Sequence, residues 1–176
     1  MGRVPLNTMA TIHKHILRVA RKTLQGGIPN DRYPKEYLTN FRLIYVHPTD
    51  AILNLKGFTL ASGDAHFYDA ICGDQKAEGK CVNKTGVNFN PSKNTGAGRC
   101  FKQDDLDACF DINAFYFLYE VEGYDDVYLT FNIYWVPIST VRQWYAAHGK
   151  QGKITLKKFR TCLDGVSIEQ TTETRD

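Results

Sequence analysis

The sequence predicts an α/β domain in which a mixed central β-sheet is flanked by helices. Three observations lead there. INAFYFLYEVE and VYLTFNIYWV, residues 112–122 and 127–136, are aromatic and β-branched and are separated by Gly123-Tyr124-Asp125-Asp126, as two adjacent antiparallel strands would be. YDAICGDQKAEGK, residues 68–80, alternates charged and small side chains beyond a Gly73-Asp74 turn, the pattern of a hairpin strand with one polar and one packed face. Apolar residues recur at helical spacing from Thr8 to Leu24 and again in ISTVRQWYAAHG, residues 138–149.

Taken in order, Ile12, Ile16, Val19, Ala20 and Leu24 read as the apolar stripe of an amphipathic helix, capped by Asn7 or Thr8 and ended by Gly26-Gly27. A second, shorter helix is expected after Pro34 in KEYLTNFRLIY, with Pro48 ending the segment. AILNLKGFTLA, residues 51–61, and HFYDAIC, residues 66–72, read as strands. Residues 83–100 carry glycine, asparagine and proline with little apolar period, and read as a long loop of the sort that compact domains keep for function. A polar helical patch over 103–109 precedes the aromatic strands. Pro137 marks a strand-to-helix junction and Gly149 a helix stop. ITLKKF reads as an edge strand, and SIEQTTETRD, with nothing to bury, as a frayed tail.

The chain has 176 residues, enough to bury a core without metal or disulfide staples. Its 43% hydrophobic and 23% charged content excludes wholesale disorder. No apolar run approaches the ~20 residues of a membrane span, and the N-terminus lacks the apolar core of a secretory signal, so a cytoplasmic protein without membrane partners is expected. Five cysteines, none in a CxxC pair, read as free thiols. Charge is uneven: residues 1–58 hold nine Lys or Arg against three Asp or Glu, while residues 101–149 hold two against eight. A basic N-terminal segment suits a polyanion, and equally a solvated face.

The hairpin carries the chemistry. With Lys76, Glu78 and Lys80 on one strand face and Asp69 on the neighbouring strand, two carboxylates and a lysine converge. Magnesium takes oxygen ligands, one or two of them carboxylates, completed by water and substrate phosphate. Asp69 and Glu78 supply that pair, the main-chain carbonyl of Gly79 or Cys81 is a further candidate donor, and Lys80 is placed to hold an attacking water. The reaction expected is phosphodiester hydrolysis.

Asp69 followed by Glu78-Gly79-Lys80 resembles the signature of the PD-(D/E)XK nuclease superfamily, an Asp and then a (D/E)xK triplet on a hairpin. The order of elements is similar to that of small type II restriction endonucleases. The likeness covers roughly residues 8–160 in pattern and about a dozen residues in motif. Tyr68 stands where the family has proline, and Gly79 where an apolar residue is more common. The resemblance implies a restriction endonuclease-like core, with Asp69 and Glu78 as metal ligands, Lys80 as the residue that orients or deprotonates water, and Mg2+ as cofactor. It further implies double-stranded DNA as substrate and a homodimer matching a palindromic site. On this reading residues 1–176 form one domain: a helical N-terminal part over 1–50, a catalytic core over 51–165, and the tail over 166–176. Lys84, Asn88, Asn90, Ser92, Lys93, Asn94 and Arg99 are residue types that read base edges and phosphates, and Glu36 is an auxiliary carboxylate candidate. Two alternatives stay open: a homing or repair endonuclease or junction resolvase on the same core, and a non-catalytic DNA-binding or assembly module. His13 and His15, two apart on a helix, would face away from each other.

Overall fold

In the computed structural model, which describes residues 9–24, 49–61, 67–91 and 100–176, the two aromatic segments form the middle of a mixed sheet. The chain begins with strand β1 (Thr11–Ala20) and a 3-10 turn (Arg21–Leu24). Helix α1 (Thr49–Lys56) and three strands follow, β2 (Thr59–Leu60), β3 (Ala70–Cys72) and β4 (Gln75–Asn83). Then come β5 (Gly86–Asn88), α2 (Gln103–Ile112), β6 (Phe115–Tyr124) and β7 (Tyr128–Pro137). Helix α3 (Ile138–His148), β8 (Lys153–Ile154), α4 (Leu156–Asp164) and β9 (Ser167–Arg175) complete it.

The sheet runs β2-β3-β4-β6-β7-β1-β9, with β5 and β8 branching from β4. Neighbours pair antiparallel except β4 with β6 and β1 with β9, which are parallel. The β4–β6 step is a crossover through α2, as a parallel pair requires. Four helices among the described residues flank the sheet. On one face α1 lays Ala51, Ile52 and Leu53 on Leu17, Phe117, Phe131 and Trp135. On the other, α2, α3 and α4 cover Tyr116, Leu118, Tyr134 and Val136 with Phe110, Trp144 and Phe159. Helix α4 is fastened by Arg160, which grips buried Glu120 of β6 through two hydrogen bonds (2.8 and 2.6 Å), while Tyr134 donates to the same carboxylate at 3.0 Å.

Several local expectations are corrected. The segment read as the N-terminal helix is β1, an interior strand between β7 and β9. Its Ile12, Leu17, Val19 and Ala20 are buried on both faces, so the strand lacks a clean alternation and its apolar spacing imitates a helix. As strand neighbours, His13 and His15 share a face, and a ring nitrogen of each reaches Thr171 Oγ1 of β9, at 2.6 and 2.7 Å. The stretch read as a first strand over 51–61 is mostly α1, with only β2 extended. Asp50 in its first turn and Lys56 in its last complement the helix dipole. Gly57 (φ 75°) closes it, with Phe58 N–H donating to Leu53 C=O at 2.9 Å and Gly57 N–H to Asn54 C=O at 3.3 Å.

ITLKKF is not an edge strand: only Ile154 pairs, and Thr155 then caps α4, its hydroxyl accepting from Lys158 N–H at 3.4 Å. The tail is not frayed. It is β9, held parallel to β1 along its whole length. The loop over 83–100 contains β5 and a hairpin turn at its start. The aromatic strands also turn later than expected, at 125–127, because the Asp125 carboxylate accepts from Val127 and Tyr128 N–H at 2.8 and 2.7 Å. The second helix expected over 35–45 lies outside the described residues. No helix among the described residues is long and apolar enough to cross a membrane.

Candidate active site

The β3–β4 hairpin forms where the sequence places it, turning at Gly73 (φ 57°) with Ala70 opposite Ala77 and Cys72 opposite Gln75. Beyond Ala77 the strands part. Asp69 continues the ladder for one step with its backbone, donating its N–H to Ala77 C=O at 2.9 Å, and then with its side chain, whose Oδ2 accepts from Gly79 N–H at 2.9 Å. That pair of bonds fixes the Asp69 carboxylate beside Glu78. The approach to Asp69 is fixed too: Phe67, in the left-handed region (φ 69°), has its carbonyl held by Asn113 Nδ2 of the α2 cap at 2.6 Å and by the Cys109 thiol at 3.5 Å.

Glu78 and Lys80 share the β4 face that looks toward α2. Glu78 lies opposite Tyr116 of β6 and is only 8% exposed. Burial pushes its carboxyl well above the usual range, a hydrogen bond with the Asp69 carboxyl adds to this, and the Lys80 ammonium opposes it. Cys109 Sγ lies 3.9 Å from Glu78 Oε2 and 3.3 Å from the Tyr116 hydroxyl. Burial raises that thiol to about 11, so it is an inert wall and not a nucleophile. Lys80 Nζ donates to Asn90 C=O at 2.8 Å, which pins the ammonium at the mouth of the site.

The hairpin holds a second acid-x-lysine triplet, Asp74-Gln75-Lys76, and its charges are dispersed. Asp74 sits in the turn, and Lys76 Nζ lies 4.9 Å from the centre of the Tyr68 ring. The Tyr68 ring therefore gives the Lys76 ammonium a cation–π partner.

The expected DNA readers fare unevenly. Lys84 is exposed at the tip of the β4–β5 turn. Asn88 uses its Oδ1 to accept from Asn90 N–H (3.0 Å) and Asn90 Nδ2 (2.9 Å). Asn90 is corrected outright: it is 3% exposed, and its Nδ2 also donates to Gln151 C=O at 2.9 Å, so it locks a loop and reads no base. Ser92, Lys93, Asn94, Arg99 and Glu36 lie outside the described residues. What sequence reading missed is the support around the carboxyl pair: Cys109, Asn113 and Tyr116 from α2 and β6, and the backbone carbonyl of Asn90. A carbonyl acceptor leaves no trace in residue identity, and the helical period of α2 marks Cys109 only as buried.

Among the described residues no three His, Cys, Asp or Glu side chains stand together as a metal cage. The donor set is two touching carboxyls, one of them buried and forced toward protonation. Of the common ions, a hard divalent cation would fit such oxygen donors, and Asp69 and Glu78 would hold it.

The raised Glu78 carboxyl sets a pH dependence. A folded-state pKa above the unfolded one means the native state binds the extra proton, so its contribution is complete below about pH 4.5 and is lost as pH rises through the raised value. In metal-free buffer the melting temperature should therefore fall as pH rises from about 5 to 8, and Glu78→Gln should flatten that fall and melt several degrees higher at pH 8, at about 2–4 °C per kcal/mol. Scanning calorimetry of both proteins across that range checks it. Parallel pH profiles would refute the buried, protonated Glu78.

Set against known proteins, the chain matches no family model, no curated protein and no solved structure.

Proposed function

We propose that the protein is a magnesium-dependent, sequence-specific DNA endonuclease of the type II restriction kind, hydrolysing phosphodiester bonds. The observation that carries this reading is the convergence of Asp69, Glu78 and Lys80 on one sheet face, with Asp69 and Glu78 in contact and Lys80 anchored beside them. Asp69 and Glu78 would hold the ion. When bound, Mg2+ supplies positive charge at the scissile phosphate and lowers the pKa of the attacking water.

The chain's own residues do the rest. Lys80 has one N–H committed to Asn90 C=O, which leaves two donors to fix the water and the phosphate oxygen it approaches. The Asp69–Gly79 bond holds one carboxylate oxygen in place and leaves the other facing Glu78. Glu78 would have to be deprotonated to serve as a ligand, and its raised pKa makes that deprotonation part of loading the site. Exposed Lys84 is the described candidate for a phosphate contact, and a palindromic target would suit a homodimer acting in the cytoplasm.

Incubating supercoiled plasmid and phage DNA with the purified protein, with and without Mg2+, tests this directly. Discrete fragments that require the ion support the restriction reading. Cleavage only of branched or damaged DNA moves it to a resolvase or repair enzyme on the same core. DNA that is bound but never cut, under every metal condition, refutes the enzyme and favours the non-catalytic module.

A further inference from the structure

Strand β9 is an unusual place to end a sheet. It pairs with β1 from Ser167 to Arg175 without a register shift, and most of its side chains are exposed on both faces. Among the described residues no strand pairs with its outer edge. Edge strands are commonly kept from pairing by proline, charged side chains (lysine above all), bulges or short length. β9, SIEQTTETR, has no proline, lysine or bulge and runs for nine residues, and its charges, Glu169, Glu173 and Arg175, are of both signs and able to pair. A polar strand that buries so little gains order from its backbone ladder, and half of that ladder is open.

We propose that the outer edge of β9 pairs antiparallel with β9 of a second copy of this chain, about a two-fold axis at Thr172, extending the sheet across both copies. A two-fold axis perpendicular to the sheet preserves its faces, so Glu169, Thr171, Glu173 and Arg175, which alternate onto one face, meet only one another. Their charges select the register. With the axis at Thr172, Glu169 lies opposite Arg175 of the second copy, twice, Thr171 lies opposite Glu173, and the two Thr172 side chains meet. Moving the axis to Thr171 sets Glu169 against Glu173 twice, and moving it to Glu173 sets two Glu173 side chains against each other. An axis at Thr174 pairs Glu173 with Arg175 but over a shorter overlap, and one at Gln170 pairs no opposite charges, so Thr172 combines opposite-charge pairs with the longer overlap. Opposite charges across a strand pair stabilise and like charges destabilise. Arg175 bonds Glu173 of its own strand through Nε, and its guanidinium carries further donors for the glutamate across the axis.

The interface is small, below the ~1,200 Å² of standard complexes, so the dimer should be weak, dissociating at about micromolar concentration. The inference does not rest on the nuclease reading, since its test measures mass and not cleavage. Sedimentation velocity of the full chain over a concentration series should show a monomer–dimer equilibrium. Glu169→Arg and Arg175→Glu should each weaken it at least tenfold, and an equimolar mixture of the two variants should dimerise again, because each arginine then faces a glutamate. Oxidised Thr172→Cys should give a covalent dimer beyond what the wild-type cysteines give. A wild type that stays monomeric, folded single variants that dimerise undiminished, or a mixture that stays monomeric would overturn the proposal.

Discussion

Lys80→Ala is expected to lower the rate of Mg2+-dependent plasmid cleavage by about 10²–10⁴-fold while the protein stays folded and keeps its affinity for DNA. The argument runs through position. Among the described residues Lys80 is the ammonium that acts on Glu78, fixed by Asn90 C=O at 2.8 Å, whereas Lys76 is held over Tyr68. Its removal costs one hydrogen bond to a carbonyl, about 1 kcal/mol, too little to unfold the chain. It also removes the charge that opposes Glu78 protonation, so the variant should need a higher pH or more Mg2+ to load the ion. Glu78→Gln should be equally inactive through loss of a ligand, yet more stable than wild type at pH 8. Single-turnover cleavage assays beside a DNA-binding titration separate these effects. Wild-type cutting by Lys80→Ala would remove Lys80 from the chemistry.

The second large effect falls on Gly79, the residue between Glu78 and Lys80. Gly79→Ala should destabilise the fold by about 1–3 kcal/mol, the cost typical of overpacking a rigid core. A Cβ there would come within 2.7 Å of Phe117 Cζ and closer still to Cε2. Phe117 has no room to yield: it is fully buried and stacked on Trp135, ring centres 6.2 Å apart, and on Tyr119 at 6.4 Å. Phe117→Leu in the same chain should recover part of the loss by clearing the site of collision. Thermal melts of the single and double variants decide it, and a Gly79→Ala protein melting with the wild type would show that the ring moves. Gly79 is thus the residue that fits here, because its face of β4 is filled from the neighbouring strand.

How much of this was legible in the sequence depends on where a residue's partners lie. The hairpin, the aromatic strand pair and α3 were readable because each declares itself locally, through a glycine turn, a run of β-branched residues, or a proline junction. The candidate site was readable for the same reason: Asp69, Glu78 and Lys80 are brought together by one tight turn. β1 and β9 were not, because their order comes from each other and from β7. A strand buried on both faces loses its alternation, and a polar edge strand has no apolar period to show. The α1 error had another source: AILNL is an apolar run too short to declare its own period. Asn90 was misread because asparagine is common both in DNA contacts and in loop locks, and only its burial distinguishes them.

β1 also ties the beginning of the described chain to its end, since its two neighbours in the sheet start at Tyr128 and Ser167. At a synthesis rate of roughly 5–20 residues per second, the N-terminal strand leaves the ribosome several seconds before β7 exists to receive it. The sheet cannot close around β1 until β9 has been synthesised, so folding here is a late event that must bring together distant parts of the sequence. Such a topology favours slow folding, and the waiting strand, with both edges open, is the segment that a holding chaperone would have most reason to cover.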